Sequence, residues 1–191
     1  MTQQGPNIIE LYEGAVQQML PALAAIRADQ LTSPTACSEW NVQNLIVHNI
    51  KVADYVAGVI QGNNTTNPME IGDPMPAQGA EAAFAEGTTR VLDILKATDD
   101  LNQEVETPFG SMPIAHFLMF PTMDIVLHKW DLAKGTGQST SIDAGLAEAC
   151  FGALQGVAEG GRQAGIFGAE VTVPISASVQ DKLLGLSGRT P

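Results

Sequence analysis

Residues 41–60 read NVQNLIVHNIKVADYVAGVI, and the spacing within them decides the fold. Val42, Leu45, Asn49, Val52, Val56 and Val59 form a heptad-like series, the mark of one buried helical stripe, and Asn41 in front of them is a good N-cap. The segment stops before the turn-rich Gly62-Asn63-Asn64. Upstream, Ile8, Tyr12, Ala15, Met19, Leu23 and Ile26 step by three and four, which predicts a first helix. Pro6 suits its first turn, and Thr32-Ser33-Pro34-Thr35 ends the connection that follows it.

Downstream the pattern stays helical. Residues 62–79, GNNTTNPMEIGDPMPAQG, read as a connection dense in Gly, Pro and Asn. A loop of that length inside a compact domain is unusual and often functional. A third helix is expected over about 80–98, with Phe84, Val91 and Leu95 facing inward. Thr107-Pro108-Phe109-Gly110 is a turn, and a fourth helical pattern spans 112–134. Pro121 should kink it or split it in two, and Gly135 and Gly137 should end it. A fifth helix over 142–159 runs into Gly160-Gly161. Beyond it Phe167 to Pro174 looks extended, and Ser178 should cap a last short turn through Leu184. The reading is all-α: an antiparallel four-helix bundle with an extra C-terminal helix and a short, partly extended tail. The bundle occupies 1–160 and the tail, 161–191, is expected to pack on it within a single domain.

Composition narrows the function. The chain has 191 residues, with Lys+Arg 9 against Asp+Glu 21 and a net charge of -12. So acidic a surface repels phosphate backbones and anionic lipid, so nucleic acid and membranes are not expected partners. Apolar runs fall far short of the ~20 residues of a membrane-spanning helix, and no secretory leader is visible in MTQQGPNIIELYEG. Cys37 and Cys150 are far apart and form no disulfide framework, so a cytoplasmic location with reduced thiols is expected.

Three histidines are present. The apolar residues of the second helix cover an arc of about 180° at 100° per residue, and His48 sits at its margin, placed to look into a cleft. On the fourth helix Asp124 and His128 are four residues apart, on one face and about 6 Å apart along the axis. One helical turn then offers an oxygen and an imidazole nitrogen to a single point. With His48 from a facing helix this makes three ligands with open positions, as catalytic zinc sites have. An Asp and a His at that spacing also occur as a solvated surface pair, so spacing alone leaves both readings open. His116 is excluded, because twelve residues of helix place it about 18 Å from His128; it reads as a surface or capping residue. Cys37 reads as a small buried apolar side chain, with no Lys or Arg close enough to argue a reactive thiolate.

The stretch Thr35-Ala36-Cys37-Ser38-Glu39-Trp40-Asn41-Val42 followed by Leu45 and His48 resembles a T-x-C-x-x-W-x-V-x-x-L-x-x-H signature. With Asp124-x-x-x-His128-Lys129-Trp130-Asp131-Leu132-Ala133 and Gly135 to Gln138, it resembles the mycothiol-dependent maleylpyruvate isomerase N-terminal domain family. That family lies within the DinB/YfiT-like superfamily of metal-binding four-helix bundles, and the tail, Gly165 to Pro191, resembles an uncharacterised actinobacterial branch of it. The resemblance carries the metal ligands over as His48, Asp124 and His128; Asp131, also in the motif and one turn from His128, reads either as the acceptor of that imidazole's second N–H or as a helix-surface charge or capping contact. Members usually have Glu where Asp124 stands, so here a shorter side chain must reach the ion. Trp40 and Trp130 read as packing landmarks.

What the resemblance implies is a metal-assisted transferase or isomerase, in which a cation activates a low-molecular-weight thiol, mycothiol in this family, toward an electrophilic substrate. Zinc is the default metal by ligand type, and nickel, manganese or iron also suit two imidazoles and a carboxylate. The alternative is a metal- or ligand-binding bundle without turnover. Bundles of this kind often pair, so a homodimer is expected.

Overall fold

The computed structural model describes residues 7–37 and 40–191; Pro6, and Ser38 and Glu39 of the first motif, lie outside the described residues. The elements run α1 (Ile8–Ala24), a 3-10 turn (Ala28–Gln30), α2 (Val42–Ile60), α3 (Ala80–Lys96), β1 (Glu104–Thr107), β2 (Gly110–Pro113), α4 (Ile114–Phe117), α5 (Met119–Thr136), α6 (Ala144–Gln163) and α7 (Val179–Leu186). They form two compact units, dividing between Thr140 and Ser141, whereas the sequence reading puts its boundary at 160.

The first unit is the antiparallel four-helix bundle. α1 packs on α3 and α5, and α2 packs on the same two, so the helices follow one another around the core in the order α1, α3, α2, α5. Local signals start each helix. The Asn7 side chain accepts from the Glu10 N–H while Glu10 reaches back to the Asn7 N–H, a reciprocal cap on α1. Asn41 accepts from the Asn44 N–H at 2.9 Å and opens α2. The stripes read from spacing face inward. Tyr12, Ala15, Met19 and Leu23 are buried, as are Phe84, Val91 and Leu95, while Ile8 and Ile26 at the ends of the α1 series are half-buried. Each large side chain removed from water in this core contributes about 1.5–3 kcal/mol. No described helix is long and apolar enough to cross a membrane.

Within this unit three details differ from the sequence reading. Residues 104–113 form an antiparallel hairpin, with Thr107 opposite Gly110 and the turn Pro108-Phe109 between them, so the helical pattern expected from 112 begins at Ile114. Pro121 does divide that pattern, but the break falls ahead of it, at Leu118. Pro121 then occupies the first turn of α5, where a missing N–H leaves no ladder bond unmade. Of the two glycines expected to end this helix, Gly137 does so with a left-handed φ of 71°. Gly135 lies inside α5 for another reason: a Cβ there would stand 2.8 Å from the Pro34 carbonyl oxygen. That close approach seats Pro34 and Thr35 against α5.

The second unit contains α6, an irregular stretch and α7. Asp143 caps α6 through the Leu146 N–H, and the helix continues through Gly160 and Gly161 to Gln163. Helical hydrogen bonding outweighs the two glycines there, each worth about 1 kcal/mol against the helix. Ser178 caps α7 by accepting from the Asp181 N–H at 3.1 Å.

Candidate metal centre

Because α2 and α5 are neighbours, His48 meets the face of α5 that carries Asp124 and His128. His48 Nε2 lies 3.2 Å from Asp124 Oδ2, and His128 Nε2 lies 3.3 Å from Asp124 Oδ1. The imidazole centroids are 5.0 Å apart and edge-to-face. One ligand atom from each of the three side chains falls within 4.8 Å of the others. Both histidines are buried, at 5% and 8% exposure, and the Asp124 side chain is 30% exposed, so the cluster opens to solvent on the aspartate side.

The second nitrogen of each ring fixes its orientation. His48 Nδ1 is 2.9 Å from the carbonyl oxygen of Pro68 in the long 61–79 loop. A carbonyl only accepts, so Nδ1 carries the proton, and in neutral His48 the Nε2 lone pair points at Asp124. His128 Nδ1 donates to Asp131 Oδ2 at 2.9 Å, which turns the Nε2 lone pair of neutral His128 to the same place. Two donor atoms each about 2.1 Å from one ion, at a tetrahedral angle, lie about 3.4 Å apart. The observed 3.2 and 3.3 Å separations fit that requirement, and the short aspartate side chain spans to both rings.

Charge reinforces the cluster. Burial alone would raise the Asp124 carboxyl, but the charges and hydrogen bonds of His128 and His48 outweigh it and hold the group well below the usual carboxylate range. Burial alone would lower His128; the Asp124 charge, with hydrogen bonds from Asp124, Asp131 and Cys37, holds it well above the ordinary imidazole value instead. With no cation bound, the acid and the base therefore form an ion pair.

Around the cluster lie groups whose part was not legible from spacing. The Trp40 ring packs on both imidazoles, 4.4 Å from His48 and 5.8 Å from His128 between centroids. Cys37, expected to be buried and inert, is half-buried, and its thiol donates to Asp131 Oδ2 at 3.3 Å. The motif spacing before the Asn41 cap was the available signal for both. The Pro68 carbonyl had none, since any residue supplies one. Trp130 is a core residue with the Lys134 ammonium 4.9 Å above its ring. His116 lies exposed on α4, apart from the cluster.

Comparison with known proteins bears on this arrangement. A family model described as the mycothiol maleylpyruvate isomerase N-terminal domain matches residues 12–133, a span that runs from within α1 to near the end of α5. Two uncharacterized proteins of Mycobacterium tuberculosis are each 36% identical over 125 residues, and the match spans 65% of this chain and 65% of theirs. Among solved structures, a mycothiol-dependent maleylpyruvate isomerase superposes with a TM-score of 0.55 at 16% identity, covering 77% of this chain and 68% of that one. A single-site histidine mutant of such an isomerase gives 0.56 at 14% identity. At those identities the likeness is one of fold.

Proposed function

The chain belongs to the mycothiol maleylpyruvate isomerase N-terminal domain family, and from that premise we propose that His48, Asp124 and His128 hold a divalent cation used in thiol transfer or isomerisation. The observation that carries the proposal is the convergence of two Nε2 lone pairs and one carboxylate on a single point, with both rings locked from behind. Zinc is the default metal for such a donor set, and nickel, manganese or iron suit it as well.

Held by His48, Asp124 and His128, a divalent cation would keep net positive charge and would lower the pKa of a thiol bound to it, so that the thiolate would be available at neutral pH. The chain's own residues prepare for that chemistry. Asp131 and the Pro68 carbonyl keep the imidazole protons on Nδ1, away from the ion. Trp40 packs at a tilt against both rings. The exposed flank of Asp124 leaves an approach for a small thiol, whose proton departs to solvent on that side. A thiolate adding to one carbon of a double bond conjugated to a carbonyl would push the π electron pair onto the carbonyl oxygen and leave a single bond free to rotate. Return of that pair with expulsion of the thiolate would complete isomerisation, and protonation of the adduct from solvent would complete transfer. The family points to mycothiol as that thiol.

A second reading, a metal-binding bundle without turnover, is favoured by the extent of the structural match, which covers 68% of the isomerase chain. One experiment separates the two. Purified protein is loaded with Zn2+ and given a thiol and a generic electrophile, and its metal content is measured beside that of Asp124→Ala. Thiol consumption that disappears in His48→Ala supports catalysis. Stoichiometric metal without thiol consumption supports the second reading, and metal content equally low in wild type and Asp124→Ala rejects both.

A further inference from the structure

Both helices that carry the candidate ligands also carry aromatic side chains toward one end of the cleft. Phe120 precedes Asp124 by four residues on α5, one turn away on the same face and about 6 Å along the axis. Tyr55 follows His48 by seven residues on α2, two turns away in nearly the same direction. The two lines of side chains meet: the Tyr55 ring lies edge-on to Phe117, three residues before Phe120, with centroids 6.1 Å apart. The hairpin adds a fourth ring, as Phe109 stacks on Phe120 with centroids 5.8 Å apart and planes 26° from parallel.

Phe109 is 60% exposed, and the turn holds it there. The Thr107 hydroxyl donates to the Gly110 carbonyl at 2.7 Å and accepts from the Phe109 N–H at 3.1 Å. Among the described residues of the first unit, the exposed large apolar side chains are Met69, Ile71 and Phe109. Met69 follows Pro68, whose carbonyl holds His48, and Ile71 lies between Glu70 and Asp73, which hold Lys51 one turn further along α2. Apolar surface left in water therefore gathers on the two segments beside the ligand-bearing helices, on the cluster that opens to solvent at Asp124. The charges there suit a neutral molecule: Lys51 is already engaged by Asp73, and Glu104 and Glu106 stand exposed on the hairpin. We propose that Phe109 and Phe120 form the substrate wall of the cleft, so that the electrophile taken there carries an uncharged, flat aromatic group stacked on these rings. The inference rests on His48, Asp124 and His128 holding a cation, and it names the substrate class for that site.

The test measures binding of two unreactive ketones, 4-phenyl-2-butanone and 2-pentanone, which differ by phenyl in place of methyl. Affinities are read by saturation-transfer NMR on the Zn2+-loaded protein and again with Co2+, whose unpaired electrons broaden nearby ligand protons. Wild type is expected to favour the phenyl ketone about tenfold. Phe109→Ala and Phe120→Leu should each cut that preference about three- to tenfold, and Phe109→Tyr, which keeps the plane, should hold it within about twofold. No preference in wild type, or a preference untouched in either Phe109→Ala or Phe120→Leu, overturns the inference. Phenyl protons that Co2+ leaves sharp also overturn it, because the rings then serve another place. Metal content is measured beside binding in His48→Ala. If it equals that of wild type, the metal reading falls and this inference with it; metal lost in His48→Ala while wild type shows no phenyl preference removes this inference alone.

Discussion

Gly135→Ala puts a single methyl group at the seam between α5 and the loop that bears Cys37 and Trp40. The new Cβ would meet the Pro34 carbonyl oxygen at 2.8 Å and two Thr35 atoms at 3.6 Å. The first contact is several tenths of an ångström too close, and it is with backbone, which cannot rotate away. Pro34 is bridged to Asn41, the cap of α2, so the loop yields only by disturbing the start of that helix. Overpacking of this kind costs about 1–3 kcal/mol. A contact this close with backbone belongs in the upper part of that range, about 2–3 kcal/mol, and alanine recovers about 1 kcal/mol through its helix preference over glycine, which leaves a net loss of about 1–2 kcal/mol. At about 2–4 °C per kcal/mol for a chain of this size, the melting temperature should fall by roughly 2–8 °C. Gly152→Ala is the control: it lies on the exposed side of α6 with nothing within 4 Å of the added Cβ, so only the helix preference acts. Circular dichroism melts and urea titrations of both variants measure the two effects. The reasoning is refuted if Gly135→Ala is as stable as the wild type or gains stability as Gly152→Ala should.

The metal-stripped protein should lose stability on both sides of a plateau. The His128 contribution is complete below pH 6.5 and drains away as pH rises through its raised folded value, and the Asp124 contribution is complete above pH 3.8 and is lost on acidification through its lowered one. Since cation binding requires unprotonated imidazoles, the melting-temperature gain from Zn2+ should be larger at pH 8 than at pH 6, and an equal gain at both contradicts the assignment of ligands. Phe84→Ala, which empties a fully buried position, should cost about 3–5 kcal/mol by urea denaturation. Ser178→Ala should cost about 1 kcal/mol in the second unit through loss of the α7 cap, seen as earlier amide exchange in Val179–Leu186. Lys51 holds the long loop through the Glu70 carbonyl at 2.9 Å and Asp73 at 2.7 Å, so Lys51→Ala should speed proteolytic cleavage within residues 62–79, and an unchanged cleavage rate would mean that the latch is idle.

What could be read beforehand follows from range. The helices and their inward faces depend on residues three and four apart, and Met19, Leu45, Phe84 and Leu95 lie where that spacing puts them. His48 was placed from its angle on the helix, and Asp124 with His128 from one turn of separation. The hairpin leaves little trace in the sequence, because Glu104–Thr107 offers one buried residue in four, too little alternation for a strand pattern. Gly135 resembled a terminator, since a sequence does not reveal that another segment's carbonyl will press on that spot. The setting of Cys37 is hidden for a related reason. Its surroundings are set by Asp131, 94 positions away.

A backbone oxygen from the long connection between α2 and α3 grips the rear nitrogen of His48. If His48 is a ligand as proposed, that contact makes the placement of the connection and the tightness of an ion at the front nitrogen two readings of one equilibrium. Lifting the strand around Pro68 leaves the ring without its anchor and lets it tip, so ion retention drops. By reciprocity, an ion in place opposes the lifting by the same free energy. A molecule that presses the connection down would thus strengthen metal retention without touching a single ligand atom.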